Sequence, residues 1–320
     1  MSETTPSHIV REAMLTSSEH GMRFDQAAAT LFGEFSRERL KQWIASGELT
    51  LDDRTAKPKV KVQTGQMMKL DATLEAAGEW TAQAIELDIV YEDDSVLVIN
   101  KPAGLVVHPA AGNPDGTLLN ALLHHYPQQA ELPRAGIVHR LDKDTTGLMV
   151  VARTLQAHNS LINQLKDKTV TREYDAVVVG AMTAGGSVDA PLGRHPKDRK
   201  RQAVTDQGKP AVTHYRVAER FPSHTHVRCQ LETGRTHQIR VHMAYVKHPL
   251  VGDPVYGGRF KMPAGATEAL REALRTFPRQ ALHARRLRFD HPETGEQVSC
   301  QAELPDDMVQ LLEHLRFKEA

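Results

Sequence analysis

Reactive side chains crowd two short stretches of this chain. The first, GIVHRLDKDTTGLMVVAR, sets His139, Arg140, Asp142, Lys143 and Asp144 in a polar loop that runs directly into an apolar strand. A charged group at the lip of a sheet is held by the scaffold while staying open to a ligand, which suits a nucleophile or a general base. Taken alone, the same string is also an ordinary charged turn. The second stretch, LETGRTHQIRVHMA, holds Arg235, His237, Arg240 and His242. These fit strand-edge charges, or a histidine pair inviting a metal. No HExxH and no carboxylate-rich motif completes a ligand set, so no metal is expected. Tyr174 in REYDA sits in a strand-like run, where a tyrosine by itself is a core ring. RHPKDRKR gathers Arg194, Lys197, Arg199, Lys200 and Arg201 at one turn, either a phosphate grip or a solvated face.

Both stretches need a sheet to hold them. From Ile85 onward, DIVYEDDSVLVINKP, TGLMVVAR, EYDAVVVG, THYRVAERF, HVRCQLETG and RLRFDHP are strand-like runs separated by turn signals. TLLNALLHHY, LQAHNSLINQLKDK and the final DDMVQLLEHLRFK have helical periodicity. Strands outnumber helices without alternating regularly with them. The fold class is therefore α+β with a mixed or antiparallel sheet, not a doubly wound fold. Neither GxGxxG nor a Walker loop is present, so a nucleotide cofactor gains no support.

Upstream lies a smaller unit. MRFDQAAATLFG carries Phe24, Ala27, Ala28, Leu31 and Phe32 at helical spacing; Ser36 then caps SRERLKQWIASG, which Gly47 stops. ELTLDD and KVKVQ look like short strands, the second placing Lys57, Lys59 and Lys61 of KPKVK on one face. Residues 1–20 are polar and read as a mobile tail, 21–75 as the small domain, 76–84 as a linker within the Ala-, Glu- and Thr-rich stretch Asp71–Ala84, and 85–320 as the main domain.

Two domains agree with the length of 320 residues. Forty basic residues balance forty acidic ones, which excludes a uniformly basic particle but not a basic face. Two cysteines, Cys229 and Cys300, cannot build a disulfide framework and fit a reducing cytosol. No apolar run approaches the roughly 20 residues of a membrane span, and the N-terminus lacks a signal-peptide pattern. A cytoplasmic protein without membrane contact is expected. No heptad pattern offers a dimer seam, so a monomer is expected as well.

HRLDKDTTG, TREYDAVVVG, ETGRTHQIRVH and HPLVGDPVYGG, in that order, resemble the RluA-type pseudouridine synthases. NKPAGLVVHPAAGNPDGTLLNALLHHY and GKPAVTHYRV extend the likeness from about Ile85 to the C-terminus. Phe24–Leu70 resembles the S-four-type RNA-binding domain that often precedes this catalytic domain. The resemblance implies an isomerase that breaks the bond between ribose and uracil N1, turns the base and rejoins it through C5. No atom is gained or lost, so no cofactor is required.

The resemblance also assigns roles. The Asp of HRLD, Asp142, is the nucleophile or base, and it has to be ionised; an opposing arginine favours that form. Arg235 of TGRTHQIR matches the family's salt-bridge arginine. Tyr174 matches the tyrosine that stacks on the uracil and helps remove the C5 proton. Arg140 matches the residue that enters the space left by the flipped nucleotide, since a stacked uridine cannot present its glycosidic bond. Asp144 is left as a loop acid. Arg37, Arg39 and Lys41 resemble the RNA-facing helix of the small domain, and Arg194, Lys197, Arg199, Lys200 and Arg201 a loop that approaches RNA. Asp52 and Asp53 stand where that small domain commonly has a Val-Asn-Gly turn, which weakens its pull on phosphates. The implied partner is large-subunit (23S) ribosomal RNA, naked or in an assembling subunit, with several uridines of helix 69 as targets. Two other readings compete: a non-catalytic RNA-binding assembly factor on the same scaffold, and a metal-dependent hydrolase using His139, His237 and His242.

Overall fold

The computed structural model describes residues 7–33, 35, 37–74, 80–110, 112–198 and 201–316. The chain divides into two compact units, Met1–Glu79 and Trp80–Ala320.

The first unit runs β1 (Ser7–Met14), α1 (Phe24–Leu31), α2 (Arg37–Ser46), β2 (Leu49–Leu51) and β3 (Met67–Leu74). Its antiparallel sheet has the order β1-β3-β2. Phe24, Ala28, Leu40, Ile44, Leu49 and Met68 close its core. The expected tail is overturned beyond residue 6. β1 pairs with β3 along its whole length, and Leu15 is 1% exposed in that core. HIVREAM has too weak an alternation to announce a strand; its partner, some 60 residues later, supplies the order. KVKVQ is not a strand either: only Lys61 makes an isolated bridge, so Lys57, Lys59 and Lys61 are exposed without sharing a strand face. Asp52 and Asp53 form a tight turn with φ of 51° and 58°, a left-handed backbone that short polar side chains tolerate. The Asp52 carboxylate is spent locally, accepting from Met67 N and Gln66 Nε2, both at 2.8 Å. Ser36, the expected cap, lies outside the described residues.

The second unit contains β4 (Ile89–Glu92), β5 (Val96–Lys101), α3 (Leu118–His125), β6 (Thr146–Ala152), α4 (Leu155–Lys166), β7 (Thr171–Val179), β8 (Gly186–Asp189), β9 (Leu192–Arg194), β10 (Gln202–Val204), β11 (Val212–Arg220), β12 (His224–Leu231), α5 (Gln238–Tyr245), α6 (Glu268–Thr276), β13 (Leu282–Asp290), β14 (Gln297–Gln301) and α7 (Asp306–Arg316). Among the described residues, nine strands form one sheet in the order β4-β5-β6-β13-β7-β12-β11-β8, with β14 on β13. Every pairing is antiparallel except β13 with β6. That is the mixed sheet of an α+β fold. β6 is buried at all seven positions, which is why TGLMVVA reads as a continuous apolar run. On one side Leu97, Met149, Tyr174, Ala176 and Val227 meet Leu118 and Leu122 of α3 and Ile239 and Met243 of α5. A separate core joins Val177 to α6 and α7.

Residues 80–84 are not a linker. Asn120 donates to Thr81 O at 2.8 Å and accepts at its carbonyl from Gln83 N at 3.0 Å, while Gly116 N donates to the Gln83 side chain at 2.7 Å. Ile85 and Leu87 pack on the core behind them. This strap holds the start of α3 in place.

Candidate active site

Asp142 sits where HRLDKD turns into β6, and the loop is pinned from several sides. Lys101, at the end of β5 and 1% exposed, donates its three N–H groups to Pro102 O, Leu105 O and Lys143 O at 2.7, 2.9 and 2.8 Å. Burial pushes its pKa down to about 8, and the negative charges of Asp144 and Asp142, with this ring of carbonyls, favour the ammonium form. Gln280 donates to Thr145 Oγ1 at 3.1 Å, and Arg279, clamped by Asp307, reaches Asp144 O at 3.3 Å. The carboxylate therefore enters the cleft from a rigid mount.

Its partner is Arg240, not Arg235. Arg240 Nη1 donates to Asp142 Oδ2 at 2.9 Å, while its Nε and Nη2 donate in a fork to Asp253 at 2.7 and 2.9 Å. Asp253 is fully buried and accepts two further N–H bonds, from Val255 and Tyr256. Burial alone would raise the Asp253 pKa; Arg240 and those N–H groups reverse that and lower it. Asp253 thus fixes Arg240, and Arg240 fixes Asp142. Arg235 is exposed and donates Nε to Pro210 O at 3.1 Å. The cause is helix α5. IRVHM alternates like a strand, yet Gln238 accepts from Thr233 Oγ1 and Arg235 N and donates to Val212 O and Thr213 Oγ1, seeding a helix. His237 and Arg240, three apart, then share one face. Arg235 lies before that helix and turns away.

A cleft of about 410 Å³ opens over the carboxylate, lined among others by Val106, Asn113, Arg140, Leu141, His237 and Val255. That suits one small ligand or one extruded nucleotide. Arg140 is exposed at its rim. Tyr174 packs beneath, 5% exposed, with Leu141, Cys229 and Ile239. Burial raises its pKa, Arg172 partly offsets this, and the charge of Asp142 adds to the rise, so the phenol keeps its proton.

The histidines do not converge. His139 accepts from Val150 N at 3.1 Å, and burial pushes it down to about 3. His242 is bonded to Thr213 Oγ1 and Ala190 O, each at 2.9 Å. Among the described residues no group of three His, Cys, Asp or Glu could hold a metal ion. Among the described residues no helix is long and apolar enough to cross a membrane.

Of the basic residues singled out above, Arg194 and Lys197 are exposed around the β9–β10 turn, and Arg201 lies half-buried over the Tyr256 ring at 5.5 Å. Arg199 and Lys200 lie outside the described residues. In the first unit α2 carries Arg39, 5.8 Å over the Trp43 ring, and Lys41; it begins at Arg37, whose side chain lies outside the described residues. Lys101, Asp253 and Tyr256 had no role in the sequence reading, although NKP and GDPVYGG contain them. Their spacing from Asp142 spans more than a hundred residues in two cases, and only the fold closes it.

The profile of the family described as RNA pseudouridylate synthase matches residues 95–245. The ribosomal large subunit pseudouridine synthase D of Pseudomonas aeruginosa is 59% identical over 308 residues, covering 96% of each chain. Its namesake in Escherichia coli O6:H1 is 55% identical over 305 residues, 95% of this chain and 94% of the relative. Among solved structures, human RNA pseudouridylate synthase domain containing 4 aligns with a TM-score of 0.56 at 27% identity, over 72% of this chain and 94% of the human one. Human RNA pseudouridylate synthase domain containing 1 gives 0.52 at 27% identity, over 74% and 97%.

Proposed function

The chain belongs to the RluA-type RNA pseudouridylate synthases, and from that premise we propose that it isomerises uridines of large-subunit ribosomal RNA with Asp142 as the reacting carboxylate. The observation that carries this reading is the geometry of Asp142: one oxygen is held by Arg240 at 2.9 Å, and the residue lines a cleft of about 410 Å³. The relatives' name supplies the substrate class, and helix 69, with several target uridines, is the finer assignment.

In this mechanism the target uridine leaves its stack, at a cost of about a few kcal/mol, and enters the cleft. Arg140 at the rim fills the vacated space. Asp142 attacks C1′ as the C1′–N1 bond breaks, and N1 takes the electron pair. The freed uracil turns so that C5 faces C1′. C5 then bonds to C1′, the carboxylate is released, N1 takes up a proton and C5 loses one, so nothing is gained or lost overall. Elimination to a glycal, with Asp142 as base, uses the same group. Tyr174, which the resemblance sets against the uracil ring, keeps its own proton, so the C5 proton leaves to water or to the released Asp142 carboxylate. Arg194, Lys197, Arg201 and the basic residues of the first unit, with Arg37, Arg39 and Lys41 on α2, hold phosphates. An S-four-type role for that unit rests on its sequence resemblance.

The test incubates the protein, with chelator and no cofactor, with large-subunit RNA lacking pseudouridine, and maps pseudouridine chemically. New sites in helix 69 that disappear with Asp142→Asn are expected. Turnover by Asp142→Asn overturns the assignment of the carboxylate. Intact binding with no product, on naked RNA and on isolated subunits alike, favours an assembly factor instead.

A further inference from the structure

His237, which lines the cleft, has no part in that chemistry, and it is linked to Tyr256. His237 opens α5 with φ 56° and ψ 24°, a left-handed backbone that residues with a β-carbon seldom adopt. Strain of this kind gathers where a side chain must be aimed. Its ring Nδ1 lies 2.8 Å from the Tyr256 hydroxyl, and that hydroxyl accepts from Gln202 N at 2.9 Å. The phenolic proton is thereby directed to Nδ1. Burial pushes the imidazole pKa down and the phenol pKa up, which keeps Tyr256 a donor and His237 neutral. A neutral ring that accepts at Nδ1 carries its proton on Nε2. Nε2 stands 3.8 Å from Asp142 Oδ1.

The two oxygens of Asp142 are therefore unlike. Oδ2 is bonded to Arg240, while Oδ1 accepts no hydrogen bond among the described residues. We propose that His237, its tautomer locked by Tyr256, is a positioning residue whose Nε2–H steadies Oδ1 and presents that oxygen to the ribose carbon. The separation exceeds a hydrogen bond by less than about 1 Å. Contacts of this kind commonly tighten once substrate fills a site. The inference rests on Asp142 as the reacting carboxylate.

Two amides separate aiming from a backbone role. Glutamine places an N–H near the position of Nε2, whereas asparagine reaches only as far as Nδ1 but tolerates the left-handed backbone better. His237→Asn is expected to lower kcat at saturating RNA by about 100-fold with KM little changed, the scale of a misaimed reacting group. His237→Gln should recover at least about tenfold over His237→Asn, on the same scale of misalignment. Tyr256→Phe, which keeps the imidazole but frees its tautomer, should lower kcat by about tenfold at constant KM. A glutamine variant no better than the asparagine one, or an unchanged kcat in Tyr256→Phe, overturns the proposal. Asp142→Asn runs beside them: if it is inactive while the His237 variants match the parent, only this inference falls. If it turns over, the carboxylate assignment falls and takes this inference with it.

Discussion

At the scale of single residues, the site depends on one guanidinium bonded to two carboxylates. Three N–H groups of Arg240 point at Asp142 and Asp253, and its Cζ lies 5.1 Å from the Tyr256 ring centre. A lysine keeps the charge but cannot span both acids. Arg240→Lys should therefore lower kcat by about 100-fold or more through a loosened Asp142. Arg240→Met should also destabilise by about 3–5 kcal/mol, because buried Asp253 loses its counter-charge. Arg235→Ala should leave kcat unchanged at saturating RNA. Single-turnover rates and thermal melts on the three variants check this, and a loss in Arg235→Ala as large as in Arg240→Lys would return the ion pair to Arg235. The sequence contained both arginines within one motif. What it could not show is which of them follows the helix start, because the alternation of Ile239, Val241 and Met243 favours a strand and only long-range bonds from Gln238 decide otherwise.

At the scale of elements, the HRLDKD loop owes its direction to the junction of β6 and β13. The two strands pair in parallel over only His283–Thr146 and Ala284–Gly147. Gly147 has φ 110°, and a Cβ there would lie 2.3 Å from Ala284 O. No flexible side chain can yield, since the obstacle is backbone. Gly147→Ala should cost about 3 kcal/mol or more and detach the loop from its mount. Denaturant titration with an activity assay checks this; a stable, fully active variant would show that the close approach is dispensable. Most strands and five of the seven described helices were legible as periodicities, because each buries one face against a core. The missed strands share a cause: β1, β3, β8, β9, β10 and β14 are short or weakly alternating and take their order from a partner strand. Of the helices, α5 is polar at its start, and α6 was missed although Leu270 and Leu274 lie one turn apart on its buried face. The motif residues were legible as a cluster, while Lys101, Asp253 and Tyr256 were not, since nothing local marks a buried charge as serving a distant loop.

At the scale of the whole molecule, neutral net charge conceals a division of labour. Each unit has its own core, drawn in the first from Leu15 to Ala72 and in the second from residues beyond Ile85. A fragment 80–320 should therefore fold and retain the chemical step. A fragment 85–320 should be less stable, since it loses the bonds that Thr81 and Gln83 make to Asn120 and Gly116. Asn120 is buried, so stranding its amide costs about 1–3 kcal/mol. Comparing the two fragments by thermal melts tests the boundary, and equal stability would reduce the strap to a linker. Affinity is the other half of the argument. If the first unit grips phosphates, fragment 80–320 binds RNA more weakly and its log affinity falls less steeply with log salt. For three lost contacts to single-stranded RNA the slope should flatten by about 2. Filter binding across a salt series reads this directly. A slope equal to that of the full chain would mean that Arg39, Lys41, Lys57, Lys59 and Lys61 serve solubility, with all phosphate contacts borne by the catalytic unit.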